Sequence, residues 1–86
     1  MTEELLEFPC EFPIKVMGRD EPGFQEIVEA LVRRHVDEKT ELQVALRSSR
    51  NANFVSVTLK FEVQSRDQLD NIYRELTAHE LILMVL

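Results

Sequence analysis

The side chains best suited to acid–base or nucleophilic chemistry are few and scattered along the 86 residues. His35 closes a predicted helix, His79 lies in a polar connector, and Cys10 is the single thiol. No serine or cysteine stands near either histidine in sequence, whereas a nucleophile has to lie within hydrogen-bond reach of its base. The carboxylates of the predicted helices fall between apolar positions, which is typical of solvated charge. We therefore expect no catalytic residue and no enzyme activity.

Metal and cofactor patterns are also missing from the sequence. There is no Cys/His ligand spacing, phosphate-binding loop or dinucleotide fingerprint, so we expect no metal and no cofactor. A lone Cys10 cannot form an internal disulfide, and it fits a small apolar residue at the core edge in a reducing compartment. The acidic segment 1–7 lacks the pattern of a signal peptide. We expect a cytoplasmic protein.

The net charge is −6, and all of it falls in residues 1–41. Nucleic acids and anionic membranes attract proteins with a basic surface, so this balance favours neither partner. An RNA-recognition sheet also needs several exposed aromatic residues, and the predicted outer face of the third strand offers only Phe54. The longest unbroken apolar run, residues 81–86, is far shorter than the roughly 20 residues of a membrane helix.

The segment Gly18-Arg-Asp-Glu-Pro-Gly-Phe24 is the most informative loop. Its Asp-x-Pro-Gly followed by an apolar helix resembles the opening of ACT domains, which bind amino acids or other small effectors. That resemblance implies a small metabolite as ligand, with tentative contacts at Gly18, Arg19, Asp20 and Gly23. The same residue types also favour any helix start, so a purely structural role stays open. Asp20 and Glu21 would repel a bound phosphate, which disfavours an acylphosphatase-like enzyme.

Six segments of strand or helix periodicity surround this loop. Asp20 is a candidate N-cap for the first helix, and Ser65 with Gln68 forms a capping-box pattern for the second. Residues 12–86 form one predicted domain after a tail of residues 1–11. The segments are a strand over 12–18, a helix from Phe24, a strand from Leu42, a strand over 54–63, a helix after Ser65 and a strand over 81–86.

This order predicts an α+β fold of the ferredoxin-like βαββαβ type. It is a two-layer sandwich in which a four-stranded antiparallel sheet carries both helices on one face, as in ACT domains. The first and third strands are central, and the second and fourth are edges. Alternation along the third strand gives it one apolar face for the helices and one polar face for water.

The fourth strand does not fit a simple edge, because it is apolar on both faces. Simple alternation places Leu81, Leu83 and Val85 on one side and Ile82, Met84 and Leu86 on the other. An exposed apolar edge favours association with another chain. We expect Leu5, Leu6 and Phe8 of the tail, or a second copy of the chain, to cover it. The tentative interaction residues are Arg47, Arg50, Asn51, Leu81 and Leu83.

Several pieces spread along the sequence resemble the YbeD-like family of small, uncharacterised bacterial proteins. They are Leu5-Leu-Glu-Phe-Pro9, Lys15-Val-Met-Gly18, Arg34-His35, Ser48-Ser49, Phe54-Val-Ser-Val57 and Met84-Val-Leu86. The resemblance implies an ACT-like ferredoxin fold and a regulatory role, including a link to lipoate metabolism, but no site residues.

Two hypotheses follow. The chain is a regulatory domain that senses a small metabolite at the loop of residues 18–23, where a dimer could complete the site. Alternatively, it is an adaptor that docks on a protein partner through its sheet edge and takes no small ligand.

Overall fold

The structure is a computed structural model, and it describes residues 7–49 and 53–86. The predicted order of strands and helices is confirmed. The elements are β1 (Cys10–Arg19), α1 (Phe24–Arg33), β2 (Gln43–Ser48), β3 (Phe54–Val63), α2 (Arg66–Ala78) and β4 (Ile82–Val85).

The four strands form one antiparallel sheet in the order β2-β3-β1-β4. The sequence prediction that β1 and β3 are central and β2 and β4 are edges is therefore confirmed. β1 begins at Cys10, two residues before the predicted start, because Cys10 and Glu11 pair with Val63 and Glu62 of β3. Residues 10 and 11, assigned to the tail from sequence, thus belong to the sheet.

The hydrophobic core lies between the two helices and one face of this sheet. Along β3 every second residue from Val55 to Val63 is buried, and Ile14 and Val16 continue the same layer on β1. All the buried side chains of the described residues are apolar. The helices contribute the expected stripes, which are Phe24, Val28 and Val32 of α1 and Leu69, Ile72 and Leu76 of α2.

The two helices begin in different ways. Ser65 caps α2 as predicted, because its hydroxyl accepts a hydrogen bond from the Gln68 backbone N–H at 3.1 Å. The predicted Asp20 cap of α1 is wrong, since the N-cap residue is Gly23, with no side-chain cap. Residues 21–24 instead form a turn in which the Phe24 N–H donates to the Glu21 carbonyl oxygen at 3.1 Å. Pro at the second position and Gly at the third, with φ 84° and ψ 1°, match a type II turn.

The pairing of β4 with β1 contains a β-bulge. Ile82 lies opposite Gly18, while Met84 lies opposite Met17, so Leu83 has no partner on β1. The extra residue changes the alternation, so that both Ile82 and Val85 contact the core. The assignment of alternate β4 residues to the two faces is therefore wrong, because a bulge cannot be read from apolar periodicity. The predicted exposure of apolar side chains on β4 is confirmed by Leu83 and Met84.

The predicted cover over β4 stays a prediction. Phe8 is half-buried and packs against the core, whereas Leu5 and Leu6 lie outside the described residues. Within residues 7–49 and 53–86, neither helix is both long and apolar enough to cross a membrane.

Gly18 is a position where the fold has no room for a side chain. A Cβ atom there would lie 2.4 Å from Cε1 of Phe24 and 2.6 Å from the carbonyl oxygen of Leu81. Gly18→Ala should lower the free energy of unfolding by about 1–3 kcal/mol, because the added methyl group overpacks this contact. Urea denaturation measures the change.

A double-mutant cycle with Phe24→Leu tests the cause. The smaller side chain makes room, so the combined loss should be less than the sum of the two single losses. Strict additivity would contradict the packing explanation.

Candidate functional site

The predicted ligand loop is divided between the core and the surface. Gly18 is buried inside β1 beneath Phe24, so it is not part of an exposed loop as predicted from sequence. Arg19 is the last residue of β1, and Asp20 and Gly23 are exposed. The Asp20 backbone N–H donates to the Asn53 carbonyl oxygen at 3.0 Å, which joins this loop to the start of β3.

A shallow cavity of about 240 Å³ lies between this loop and the β2–β3 hairpin. Its apolar wall includes Phe24, Leu46 and Val55, and its rim carries three carboxylates, Asp20, Glu21 and Glu26. The volume is below the roughly 300–1,000 Å³ of a usual small-molecule pocket. Charge on the rim favours a ligand with a cationic group over an anion.

The tentative interaction residues are also scattered. Arg47 is exposed on β2, and Leu83 is 54% exposed on β4. Leu81 is half-buried against the core, and its carbonyl oxygen faces Gly18. Arg50 and Asn51 lie outside the described residues.

Strand β4 and its flank form the most exposed apolar part of the described surface. Leu83, Met84 and Leu86 are 54%, 50% and 61% exposed. The Leu86 backbone continues the ladder beyond β4, since its N–H donates to the Lys15 carbonyl oxygen at 2.8 Å and its carbonyl oxygen accepts from the Lys15 N–H at 3.1 Å. The Tyr73 hydroxyl also donates to the Leu86 carbonyl oxygen at 3.2 Å, and burial raises the pKa of that phenol.

One polar cluster connects α2 to the residues that directly follow α1. Glu75 of α2 pairs with the His35 ring through one carboxylate oxygen and with Arg34 through the other, at 2.7 Å. The Gln68 side-chain amide donates to the His35 carbonyl oxygen at 2.7 Å. The hydrogen bond with His35 is the main reason that the pKa of Glu75 lies below its usual 4.5; partial desolvation opposes the effect, and the charge of Arg34 adds to it.

This cluster supports the packing of α2 against the end of α1. Among the described residues, no hydroxyl or thiol is hydrogen-bonded to His35, so the pair lacks the nucleophile that a covalent mechanism needs. The helix carboxylates were interpreted from sequence as solvated charge, and Glu75 departs from this, because it is only 26% exposed and is paired with His35 and Arg34. No local sequence pattern could predict this pair, because its two partners lie 40 residues apart along the chain.

Metal chemistry has no assembled site in the described part of the chain. No group of three or more His, Cys, Asp or Glu residues within residues 7–49 and 53–86 has metal-binding geometry. Cys10 is a free, partly buried thiol at the first position of β1. His79 accepts a hydrogen bond at Nδ1 from the Leu81 N–H at 3.1 Å, which orders the turn before β4.

The sheet order and the two helices on one face define a small ACT-like α+β domain. Solved structures with this fold include protein HP0495 of Helicobacter pylori, with TM-score 0.73, 17% identity and coverage of 94% of this chain and 85% of that chain. The ACT domain of the GTP pyrophosphokinase of Chlorobium tepidum has TM-score 0.68 at 16% identity and covers 88% of this chain and 94% of that one. At such low identity these likenesses show the fold alone.

The chain belongs to the family described as protein of unknown function (DUF493), which matches residues 3–86. A UPF0250 protein of Neisseria gonorrhoeae is 43% identical over an alignment of 91 residues that covers all of both chains. A UPF0250 protein of Nitrosomonas europaea is 40% identical over 87 residues, again at full coverage of both. The resemblance to the YbeD-like family seen in the sequence is thereby confirmed.

The ion cluster predicts a pH-dependent contribution to stability. The folded-state pKa of Glu75 is lowered, so its contribution is present above pH 4.5 and is lost as pH falls through the folded value. Glu75→Gln should therefore be less stable than the wild type at pH 7, and the difference in stability should be smaller at pH 3. Thermal unfolding at the two pH values measures the difference.

Glu38→Gln is the matched control, because Glu38 is exposed in the connector after α1. It should behave like the wild type at both pH values. If Glu75→Gln were less stable than the wild type by the same amount at pH 3 as at pH 7, the carboxylate would be excluded as the cause.

Proposed function

We propose that this chain is an interaction domain that docks on another protein through β4 and the adjoining sheet edge. The exposure of Leu83, Met84 and Leu86, each half exposed or more, carries this proposal. Single exposed apolar residues are common on any surface, but a run of them on one edge marks a site for another molecule. Placing this run in water costs free energy that a partner would recover on binding.

The backbone of β4 supports the same proposal. β4 is hydrogen-bonded to β1 on one side and is the last strand of the sheet. An extended partner segment can add to such an edge by main-chain hydrogen bonds, while side-chain pockets give specificity. The bulge at Leu83 restricts regular pairing to the stretch from Met84 onward, which limits uncontrolled edge-to-edge association.

The interior of the domain also supports a function in binding rather than in catalysis. The described residues bury no polar or charged side chain, and the one histidine–carboxylate pair lies between helices with structural partners. Enzymes place acid–base groups and nucleophiles together in a cleft. In our proposal the domain is not an enzyme, and any chemistry belongs to its partner.

A cytoplasmic location is part of this proposal. The chain has one cysteine, and in the structure it is a free thiol. Small domains of oxidising compartments usually depend on several disulfides, whereas this one relies on its apolar core.

Leu83→Lys tests the docking function. A charge at the edge should weaken partner binding at least tenfold, because the lysine must be desolvated at the contact. The partner is first captured from a cell lysate on the immobilised chain, then purified and titrated against each variant by calorimetry.

Leu46→Lys is a matched control. Leu46 is also 54% exposed on an edge strand, but on β2 at the opposite side of the sheet. It should bind the partner within about twofold of the wild type. Equal affinities of all three proteins for the purified partner would refute docking at β4.

Ligand sensing at the loop cavity is the second candidate. The cavity of about 240 Å³ at residues 20–26 favours it, as does the fold shared with an ACT domain of a GTP pyrophosphokinase. The site would take a small molecule with a cationic group beside the three rim carboxylates. Lipoate and octanoate are anions, so binding of either would require contacts away from this rim.

A thermal-shift screen of amino acids, lipoate, octanoate and nucleotides tests this candidate. A true ligand at a hundredfold excess over Kd should stabilise the fold by about 2.7 kcal/mol. Gly23→Val should remove the gain, but it also strains a backbone with φ 84°. Gly23→Asn is the cleaner variant, because asparagine tolerates this conformation while adding a side chain at the cavity. No shift with any compound would count against a sensor for these classes.

A further inference from the structure

The side of the sheet turned away from the helices, here called the open face, has a composition unlike the rest of the chain. Cross-strand register fixes its membership, because residues directly opposite each other project to the same side. Arg19 lies opposite Phe54, and Met17 lies between Ser56 and Met84. Its charged members are Glu11, Lys15, Arg19, Arg47, Lys60 and Glu62.

Charge on the open face is separated along the strands. Glu11 and Glu62 are paired neighbours at one end of the sheet, where Lys60 lies 3.7 Å from Glu11. Three cations lie between the middle of the sheet and its other end, with no carboxylate among the strand residues between them. Within residues 7–49 and 53–86, no ion pair joins them to any carboxylate. These cations are Lys15, Arg19 and Arg47. A protein with net charge −6 thus presents a cationic region on one side.

Apolar side chains fill the space among the three cations. Met17 is half-buried, Met84 lies opposite it, and Phe54 is 45% exposed at the top of β3. A shallow cavity of about 170 Å³ lies over this region, with Lys15 and Arg47 on its rim and Met17 and Phe54 in its wall. Leu86, opposite Lys15, extends the apolar area to the exposed edge at β4.

We infer that the open face binds an acidic, apolar segment of a partner protein. The inference rests on the proposed docking function and adds the chemistry of the partner. Its carboxylates would pair with the three cations, and its apolar side chains would cover Met17, Met84 and Phe54. The open face is continuous with the exposed edge at β4, so the open face and this edge form one surface.

The spacing of the cations favours an extended protein segment over a single small anion. Arg47 and the β1 cations are two strands apart, which is about 10 Å at the usual strand separation. Lys15 and Arg19 are separated by about 14 Å along β1 at 3.4 Å per residue. One carboxylate or phosphate cannot contact all three, whereas a strand of five residues or two turns of helix can.

A nucleic acid fits this face poorly. Single-stranded nucleic acid stacks its bases on several aromatic side chains, and the register places only Phe54 on the described open face. The chain's acidic remainder also repels a long polyanion that reaches past the three cations. A short segment with three or four carboxylates stays within the cationic region.

The test is an NMR titration of the isotope-labelled full chain with a defined probe. The probe is a 12-residue amphipathic peptide of glutamate, leucine and phenylalanine, and its control carries lysine in place of glutamate. The acidic peptide should shift amide signals of residues 15–19, 54–58 and 84–86 and of Arg47. The lysine peptide should shift none of them.

Two double variants with equal charge change give the quantitative comparison. Lys15→Glu with Arg47→Glu should weaken the acidic peptide at least tenfold. Arg66→Glu with Arg74→Glu alters exposed residues of α2 in the helical layer and should change the affinity less than twofold. Raising the salt concentration should weaken wild-type binding, because these contacts are exposed.

The remaining outcomes separate this inference from the docking function. If Leu83→Lys weakens a purified partner but the Lys15/Arg47 variant does not, docking stands and the acidic chemistry is overturned. If phosphate alone shifts the same signals to the same extent, the face is a small-anion site and the inference is overturned. Shifts that depend on protein concentration without peptide would assign the face to a second copy. A tenfold affinity gain in Glu3→Lys with Glu4→Lys would assign it to the chain's own N-terminal segment, again overturning the inference.

Discussion

The whole architecture depends on burying one face of a single sheet. Inward-facing residues of β1 and β3 supply the base of the core, and the two amphipathic helices close it from one side. A domain of this size has only one such layer of contacts, so little apolar area is available beyond it. Gly18 shows how tightly that layer is packed, because Phe24 occupies the space where a side chain would begin. The second face of the sheet is left for water or for another molecule.

That asymmetry separates stability from function in this protein. Residues that hold the fold lie on the helical side, including the Glu75 cluster that connects α2 to the end of α1. The residues proposed to meet a partner, such as Arg47 and Met84, contact the core little. Substitutions on the open face can therefore alter binding while the fold persists, which makes the proposed site accessible to mutation. A catalytic site in the core would not have this property.

Much of the fold could be predicted from the sequence, because periodicity is a local signal. The alternation along β3 and the apolar stripe from Phe24 are visible within ten residues. The errors arose where the outcome depends on distant contacts. Glu75 meets His35 only after the helices pack, and the bulge at Leu83 is set by pairing with β1. Pro22 and Gly23 were recognised as a helix start, but the type II turn they form moved the cap from Asp20 to Gly23.

The candidate site was harder to predict than the fold for the same reason. Lys15, Arg19 and Arg47 come together because β1 and β2 both pair with β3, and their separation in sequence conceals this. The apolar character of β4 was visible, so its edge could be identified. Only the strand register showed that this edge continues into the cationic region of the open face. The ligand contact predicted at Gly18 stays a prediction, and the close packing of Gly18 against Phe24 could not be read from the sequence.

Strands β1 and β4 are neighbours in the sheet although they are the first and last of the six elements that the structure describes. Joining them closes a loop that contains both helices and the β2–β3 hairpin, and the entropy lost in closing a loop grows with its length. The hairpin is the most local pairing, so it can form early, whereas β1 must wait for β3 and then for β4. During synthesis, the apolar face of β1 remains without its full set of neighbours until residues 82–85 have left the ribosome. The sheet is therefore completed only at the end of synthesis, and until then this apolar surface is open to contacts with other molecules.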